Sequence, residues 1–403
     1  MSATQTDRPT AAHEPSEPHD LEEPQSPLAA LSAEQIEQLG CEFDAIHDEV
    51  YADLGDRDSR YIRSTIKLHR HLVLAARALL LGSQRKPLWL AGTTALSLAK
   101  ILENMEIGHN VMHGQWDWMN DPDINSQNWD WDTASPADAW RHSHNYEHHT
   151  FTNIRGKDRD LGYEIMRIDP HQKWHPVYLF QPLYNLILMG FFEWGVAVHD
   201  LNRGAIHSGE KSKEQVVQEL KAIGAKARDQ IVKDYVAFPA LAALGAFVSG
   251  RGSPQSAKRS FKSTLTANFT ANIVRNVWSY SIIFCGHFPD QTYTFSEEEV
   301  ADETRGGFYV RQLLGAANID GGPLFHLLAG NLSFQVEHHL YPDMPSSRYA
   351  EIAPRVRDIC RRYGLPYNTG PLHKQLGTVH RTILRLAFPG GRVRPKPGAY
   401  RPS

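Results

Sequence analysis

The sequence predicts an all-α protein built as a membrane helical bundle. Two apolar runs, 177–199 and 263–288, are each long enough for the roughly 20 residues that a helix needs to cross a bilayer. Histidines recur four residues apart, which is the spacing that places side chains on one face of a helix. Polar chain ends dilute the apolar middles, which is why the mean hydropathy of −0.44 resembles that of a water-soluble protein.

Charge and cysteine content exclude several classes of protein. The 403 residues carry 42 lysines and arginines against 46 aspartates and glutamates, a formal net charge of −4. This near-balance argues against a nucleic-acid partner, because nucleic-acid-binding domains are strongly basic. The cysteines, Cys41, Cys285 and Cys360, are far apart. They exclude a disulfide scaffold and a cysteine-rich zinc or iron–sulfur module, and they fit a reducing compartment.

Composition divides the chain into two tails and one domain, expected at 29–385. Residues 1–28 are rich in Pro, Glu, Asp, Ser and Gln, so we expect a disordered tail that buries too little surface to fold. This tail lacks the basic start and apolar run of a secretory signal, so nothing in it indicates export. Residues 386–403 form a flexible basic tail, for which a solvated end is favoured over a lipid-binding patch.

The sequence predicts that the first helix begins near residue 32. Ser32 followed three places later by Gln35 resembles a capping box. Ile36, Leu39 and Phe43 then follow at helical spacing. These positions predict the buried face of a helix.

Four apolar runs are candidates for membrane segments. The run 75–103 is broken at 85–87, so either two short segments meet there or only the second one spans. The run 177–199 is the clearest candidate, because it contains a single formal charge. A shorter run at 235–249 and a long one at 263–288 complete the set. Buried helices of a large soluble protein have the same pattern, so hydropathy leaves that alternative open.

The first histidine pair, His109 and His113, has metal-ligand spacing. On a helix the two side chains share one face, one turn apart, and both ring nitrogens can reach a common metal. A zincin would have glutamate directly after the first histidine, but this sequence has Asn110. A metalloprotease is therefore disfavoured.

The segment HNYEHH contains three histidines. His144 and His148 again lie four residues apart, while His149 points about 100° away around an α-helix, so this segment can serve two metals. In QVEHH, the adjacent His338 and His339 likewise serve different metals.

With His287 as a further candidate, these histidines exceed what one tetrahedral zinc ion can use. Two metals sharing about eight imidazoles is the economical interpretation. Imidazole suits Zn, Cu, Fe and Ni, so the donors do not select the metal.

The motifs HNVMH, HNYEHH and QVEHH, each flanked by apolar helices, resemble the three histidine boxes of the integral-membrane fatty acid desaturases. The runs KILENMEIGHNVMHGQWDWMNDPDI, RNVWSYSIIFCGHFPD and AGNLSFQVEHHLYPDMPSSR are similar to the actinobacterial acyl-CoA Δ9-desaturase branch. The likeness covers about residues 30 to 385, and its motifs are highly specific.

The resemblance implies a non-haem di-iron centre in a cytosolic helical cap on the membrane bundle. Gln335 stands at the leading position of the third box, where many desaturases have His and front-end desaturases have Gln. His287 resembles the extra ligand that precedes this box. The remaining implied ligands are His109, His113, His144, His148, His149, His338 and His339.

The implied activity is O2-dependent desaturation of long-chain acyl groups, with saturated acyl-CoA as substrate and a Δ9 double bond as product. Two iron ions would be the cofactor, and O2 the co-substrate. The sequence contains no GxGxxG fingerprint and no haem-binding HPGG motif. We therefore expect electrons from a separate NAD(P)H-dependent oxidoreductase or a ferredoxin-type donor. The expected location is the plasma membrane, with the site on the cytoplasmic side and lipid around the helices.

Other functions stay open. A front-end (Δ5/Δ6) desaturase, an acyl-lipid desaturase or a hydroxylase would share the fold. Gln335 favours the front-end enzymes, whereas the lack of a fused cytochrome b5 domain in this sequence disfavours them. A membrane protein that binds metal or haem without catalysis is the rival from another class.

Convergence of the boxes constrains the topology. All boxes must lie on one side of the membrane, so an even number of crossings must separate the second box from His287. The runs 177–199 and 263–286 satisfy this if 235–249 is re-entrant or interfacial. Alternatively, 177–199 dips into the membrane and returns.

Tryptophans, a further histidine and several carboxylates lie near the boxes in the sequence. The tryptophan-rich 114–132 is favoured as an interfacial belt over a wall of the acyl entry. His142 is expected at the surface or beside the ligands. Carboxylates near the boxes could orient ligating imidazoles through their free N–H groups. The candidates are Glu103, Glu106, Asp117 and Glu147.

Overall fold

The computed structural model describes residues 27–393 and confirms the all-α prediction for them. The predicted N-terminal tail lies outside the described residues except for 27 and 28, and the predicted C-terminal tail is described as far as 393. Two three-residue strands, β1 (Asn318–Asp320) and β2 (Thr369–Pro371), pair in parallel. The α-helices are α1 (Ala33–Ala52), α2 (Asp56–Leu81), α3 (Lys86–Ile101), α4 (Asn110–Met112), α5 (Ala137–Trp140), α6 (His149–Phe151), α7 (Gln181–Gly190), α8 (Phe192–His199), α9 (Arg203–Ser208), α10 (Lys213–Ile231), α11 (Phe238–Ser249), α12 (Pro254–His287), α13 (Arg305–Gly315), α14 (Pro323–Leu328), α15 (Gln335–Leu340), α16 (Tyr349–Tyr363) and α17 (Leu372–Leu386).

Three π-helical segments interrupt this α-helical pattern. The π1 segment (Leu102–His109) continues α3, π2 (Arg141–His148) continues α5, and π3 (Val232–Ala237) joins α10 to α11. A π-helix has a wider turn than an α-helix, and such segments are frequent at functional sites. Two of the three carry histidines of the first and second boxes.

The capping box at the start of α1 is confirmed. The Ser32 hydroxyl accepts a hydrogen bond from the Gln35 backbone N–H at 3.2 Å, and the Gln35 side chain accepts one from the Ser32 N–H at 2.9 Å. Leu39 and Phe43 are fully buried and pack against Tyr309 of α13 and its neighbours. The α1 helix thereby closes the core beneath the third histidine box.

A close helix contact joins α1 to α13, and it requires glycine. A Cβ atom on Gly306 would lie 2.0 Å from the Ile36 carbonyl oxygen. We expect Gly306→Ala to lower the free energy of unfolding by about 1–3 kcal/mol, because the overlap outweighs the helix preference of alanine. Thermal unfolding of the purified protein would measure this. Gly307→Ala, whose Cβ would meet side-chain atoms of Glu303 and Thr304 at 3.3 Å or more, is the control; equal losses in both variants would contradict the prediction.

The first apolar run is confirmed as two helices. The end of α2 and the whole of α3 are separated by a turn at 82–85, and Pro87 stands in the first turn of α3. Proline fits there because the first turn has no backbone acceptor for its missing N–H.

The predicted spanning helix at 177–199 is wrong. Phe191, with φ −121° and ψ 36°, ends α7, and α8 begins at the next residue. The Gln181 side chain accepts from the Arg167 N–H at 2.9 Å, and the His199 ring lies 2.8 Å from Asp160. Both ends therefore contact the loop 160–167, whereas a straight helix of this length would separate them by about 27 Å. The run therefore bends back on itself, which is the chain path that the second topology requires.

The apolar run 235–249 belongs to a much longer helix than expected. Lys213–Ser249 is, within residues 27–393, the one helix long and apolar enough to cross a membrane, and most of its apolar window is exposed. The run 263–288 lies in α12 as far as His287, and α12 packs against α11 after a short turn. Arg275 of α12 is buried in an ion pair with Glu193 of α8, 2.5 Å apart.

Candidate metal centre

Histidines from four separate stretches of chain converge at one buried point. They come from π1 and the end of α4, from π2 and the start of α6, from the last residue of α12, and from the short α15. The eight predicted histidines, none of them exposed, are His109, His113, His144, His148, His149, His287, His338 and His339.

One group of four imidazoles joins all three boxes. One ring nitrogen from each of His109, His113, His144 and His338 lies within 4.8 Å of the others. The Nε2 atoms of His109 and His338 are 3.4 Å apart. We name these four residues the first group.

A second group of three imidazoles lies beside the first. It contains His148, His287 and His339, whose ligand atoms also lie within 4.8 Å of one another. The Nε2 atoms of His287 and His339 are 3.3 Å apart. The Gln335 amide, 3.1 Å from Nε2 of His287, borders this group, and its Oε1 atom is buried without a hydrogen-bond partner.

His149 lies between the two groups. Its ring centre is 4.7 Å from that of His113, 4.9 Å from that of His338 and 4.5 Å from that of His339. Both of its nitrogens are buried without a hydrogen-bond partner. This ring can therefore complete the donor set of either group.

The second box contributes to both groups. The α-helical spacing predicted one metal for His144 and His148, and these two histidines do meet in a third set of ligand atoms, with Asp160, within 4.8 Å of one another. They also belong separately to the first and the second group, because each ring has two nitrogens and π2 has a wider turn than an α-helix. In the third box, His338 and His339 lie in different groups, as their adjacency predicted.

The chemistry of these donors fits transition-metal ions. Nε2 of His113, of His144 and of His148 is buried with no hydrogen-bond partner. Burial, followed by repulsion from neighbouring rings, holds the pKa of His109 well below its usual value, and the same holds for His338. A metal cation binds neutral imidazoles whose lone pairs point at a shared position. Without a bound cation, burying several nitrogen atoms that have no hydrogen-bond partner is energetically costly.

Two carboxylates lie beside the Nδ1 atoms of the second box. Nδ1 of His148 lies 3.1 Å from Asp158, and Asp160 lies 3.6 Å from Nδ1 of both His148 and His144. Burial alone lowers the pKa of His148, but the charges of Asp158 and Asp160 outweigh it and raise this pKa to about 9. Such partners hold a proton on Nδ1 and make Nε2 of His148 strongly basic, so a metal ion bound at Nε2 would take the place of a second proton.

The carboxylates chosen from the sequence are wrong, because each contacts other groups. Their partners are the Asp132 N–H for Glu103, the Tyr61 and Ser346 hydroxyls for Glu106, Ser126 for Asp117, and Arg159 for Glu147.

Sequence reasoning missed Asp158 and Asp160, which follow the second box by about ten residues. Their signal was the run Lys157-Asp158-Arg159-Asp160, two acids spaced by one residue after a histidine box. It also missed Gln312 and Tyr349, whose side chains meet Nδ1 of His339 at 3.0 Å and of His338 at 3.2 Å.

A cavity adjoins the first group. Its wall includes the rings of His109 and His144, and its apolar lining includes Met105, Trp131, Trp140, Tyr163, Phe192 and Ile283. Trp116 and Trp131 are buried, so these two residues do not form the predicted interfacial belt. Trp131 lines the cavity beside the first group.

Other histidines stay outside the centre. His142 is exposed and lies 3.5 Å from Glu147, as expected for a surface residue. His199 is buried, and its Nε2 lies 2.8 Å from Asp160.

Fold and site together define a helical protein with a buried, histidine-rich centre that can hold two metal ions. Residues 87–371 match the family model described as fatty acid desaturase. The chain is 47% identical over 367 residues to an NADPH-dependent stearoyl-CoA 9-desaturase of Mycobacterium tuberculosis, covering 91% of this chain and 83% of that protein. It is 25% identical over 297 residues to an sn-1 linoleoyl-lipid 6-desaturase of Synechocystis, covering 72% and 77%.

The chain belongs to the fatty acid desaturase family. It is an oxidoreductase of lipid metabolism, and membrane association is general in this family.

Proposed function

We propose that this enzyme introduces a Δ9 double bond into long saturated acyl-CoA, using two iron ions, O2 and external electrons. The observation that carries the proposal is the pair of facing imidazole groups beside a cavity with an apolar wall. The 47% identity to a stearoyl-CoA 9-desaturase supports both the acyl carrier and the bond position.

Each part of the site has a task in this reaction. Bound iron would supply the O2-derived oxidant that removes hydrogen from an unactivated methylene, which no side chain can do alone. The first group would hold one ion, and the second group the other. Asp158 and Asp160 keep two of the rings in one tautomer. Trp131 and Trp140 exclude water from the acyl chain and position it beside His109.

We further propose how the chain sits in the plasma membrane. The helix 213–249 would cross outward and α12 would return, which gives two crossings between the second box and His287. Ser260 of α12 donates to the Ala242 carbonyl at 3.1 Å, which supports this antiparallel pair. The α2–α3 hairpin would form a second pair, with the metal centre on the cytoplasmic side in one domain, 29–385. An NADPH-dependent reductase or ferredoxin-type protein would deliver the electrons.

Expression in a desaturase-deficient host tests the reaction. We expect the wild-type chain to restore Δ9-unsaturated fatty acids and the purified protein to hold about two iron ions. His148→Ala should restore none, while His142→Ala, at the exposed position of the same segment, should match the wild type. Gas chromatography with mass spectrometry of the dimethyl disulfide adducts of the fatty acids locates the double bond. Identical profiles from wild type and His148→Ala would reject the proposal, and haem or no iron would favour a non-catalytic binding protein.

Gln335 distinguishes the two metal positions. Its side chain borders the second group, where the family's histidine-rich form of this box would add another imidazole. We expect Gln335→Ala to weaken iron binding at one of the two positions by about 10–100-fold, and Gln335→Glu to retain it because an oxygen stays in place. Iron release to a chelator would measure this. Equal affinities in wild type and Gln335→Ala would exclude a role for Gln335 at the metal.

A front-end desaturase is the second candidate function. The specific observation that favours it is Gln335, together with the similarity to a 6-desaturase over 72% of the chain. A double bond found at Δ5 or Δ6 in the host experiment would establish this alternative.

A further inference from the structure

An apolar surface lies beside the metal centre, where α7 packs against the end of α17. The Gln181 side chain donates to the Ile383 carbonyl at 2.5 Å, and the Trp174 indole N–H donates to the Ala387 carbonyl at 2.9 Å. These bonds bring two separate sets of exposed apolar side chains together. We name this the α7–α17 surface; its members, 50–64% exposed, are Val177, Phe180, Leu183, Leu186, Ile187, Leu384 and Phe388.

The two faces of α7 have opposite environments. Leu183, Leu186 and Ile187 have helical spacing and point outward, whereas Asn185 and Leu188 are buried. Asn185 accepts from the Tyr280 hydroxyl of α12 at 2.7 Å. The apolar side chains of α7 therefore face away from the protein. Contact with water disfavours this arrangement, because a helix at a water-exposed surface normally buries its apolar face.

Three basic residues border this surface. Lys173, Arg385 and Arg392 are exposed, and none of them forms an ion pair with any residue between 27 and 393. Asp358 is the last acid of the sequence, and bases continue to Arg401. Among residues 27–393, the bases at this edge therefore carry positive charge that no acidic side chain pairs with.

The surface lies at the level of the metal centre. Ile383 of α17 packs with Phe284 and Phe288 at the end of α12 that carries His287. Arg381, one turn before Arg385, forms an ion pair with Asp290 at 2.5 Å. The basic border and the histidine groups thus share one end of the helical bundle.

We propose that the α7–α17 surface lies in the interfacial layer of the bilayer and that Lys173, Arg385 and Arg392 bind the phosphate groups of anionic phospholipids. An apolar face with lysine and arginine at its edge is the pattern of a helix that rests on an anionic membrane. A folded protein partner would need acids to match this border and apolar residues to match the face; a bilayer provides both in one surface. The inference does not depend on the reaction proposed above.

The test uses the full-length iron-loaded protein in vesicles of phosphatidylcholine mixed with phosphatidylglycerol. After extraction in mild detergent, mass spectrometry measures the ratio of the two lipids that remain bound. We expect enrichment of phosphatidylglycerol, reduced by about fivefold for each base removed, so that Lys173→Gln/Arg385→Gln/Arg392→Gln loses it. The control, Arg355→Gln/Arg361→Gln/Arg362→Gln on α16, removes the same charge from bases that already have acidic partners and should keep the enrichment.

Three results would overturn the inference. The first is an unchanged lipid ratio in the variant of Lys173, Arg385 and Arg392, and the second is an equal loss in the α16 control. The third is loss of enrichment with inorganic phosphate but not with chloride of equal ionic strength, because the bases would then bind a free anion. A second variant, Leu183→Gln/Leu384→Gln, keeps all charges and should weaken retention of both lipids without changing their ratio.

Discussion

His338→Ala and His339→Ala are each expected to abolish desaturation while removing different metal ions. The two residues are adjacent, but His338 belongs to the first group and His339 to the second. His338→Ala removes an Nε2 that lies 3.4 Å from Nε2 of His109, and His339→Ala removes one that lies 3.3 Å from Nε2 of His287. Iron content should fall from about two to about one per chain in each variant, because a site that loses an imidazole ligand loses affinity.

Iron analysis and Mössbauer spectroscopy of the purified variants would measure this. The iron that remains should have a different spectrum in each variant, since it occupies a different donor set. His326→Ala is the matched control, because its Nδ1 lies 2.7 Å from the Ser333 hydroxyl, outside both groups. Two irons in either variant, or identical spectra for the two remaining irons, would contradict the division into groups.

Asp160→Asn is expected to weaken both metal positions at once. Its carboxylate lies 3.6 Å from Nδ1 of His144 and of His148, which belong to different groups. Removal of the charge makes both imidazoles poorer donors, and we expect about 10–100-fold weaker iron binding or activity. Competition with a chelator would measure the affinity, and circular dichroism would report on the fold.

Two neighbouring carboxylates serve as comparisons for Asp160. Asp158→Asn should affect mainly the second group, because Asp158 contacts His148 and not His144. Asp138→Asn changes an exposed residue paired with Arg141 and should leave iron binding unchanged. If Asp160→Asn and Asp138→Asn bind iron equally well, Asp160 has no role in holding the ligands.

Local features of the sequence were predictive because they depend on neighbours in the chain. The capping box at Ser32 formed as expected, since its partner is three residues away. The break noted at 85–87 likewise falls where α3 begins, with Pro87 in its first turn. The histidine boxes identified the residues of the centre, because few other roles require so many imidazoles at helical spacing.

Hydropathy failed where the direction of the chain mattered. It counts apolar side chains but contains no information about a bend, so 177–199 was predicted to be a spanning helix. The break at Phe191 and the contacts of both ends with the loop 160–167 are properties of the packed molecule. The helix that is long and apolar enough to cross, within residues 27–393, is 213–249, whose first half is strongly charged.

The sequence by itself determined the helical class, the family and the set of histidines that meet. The tertiary structure alone decided how those histidines divide into two groups, which carboxylates support them, and how 177–199 folds back. The division follows from the wider turn of π2 and from the approach of α12 and α15. Spacing along one helix fixes angles between its own side chains, but a metal site also needs the distances between helices, and these are set by packing of the whole core.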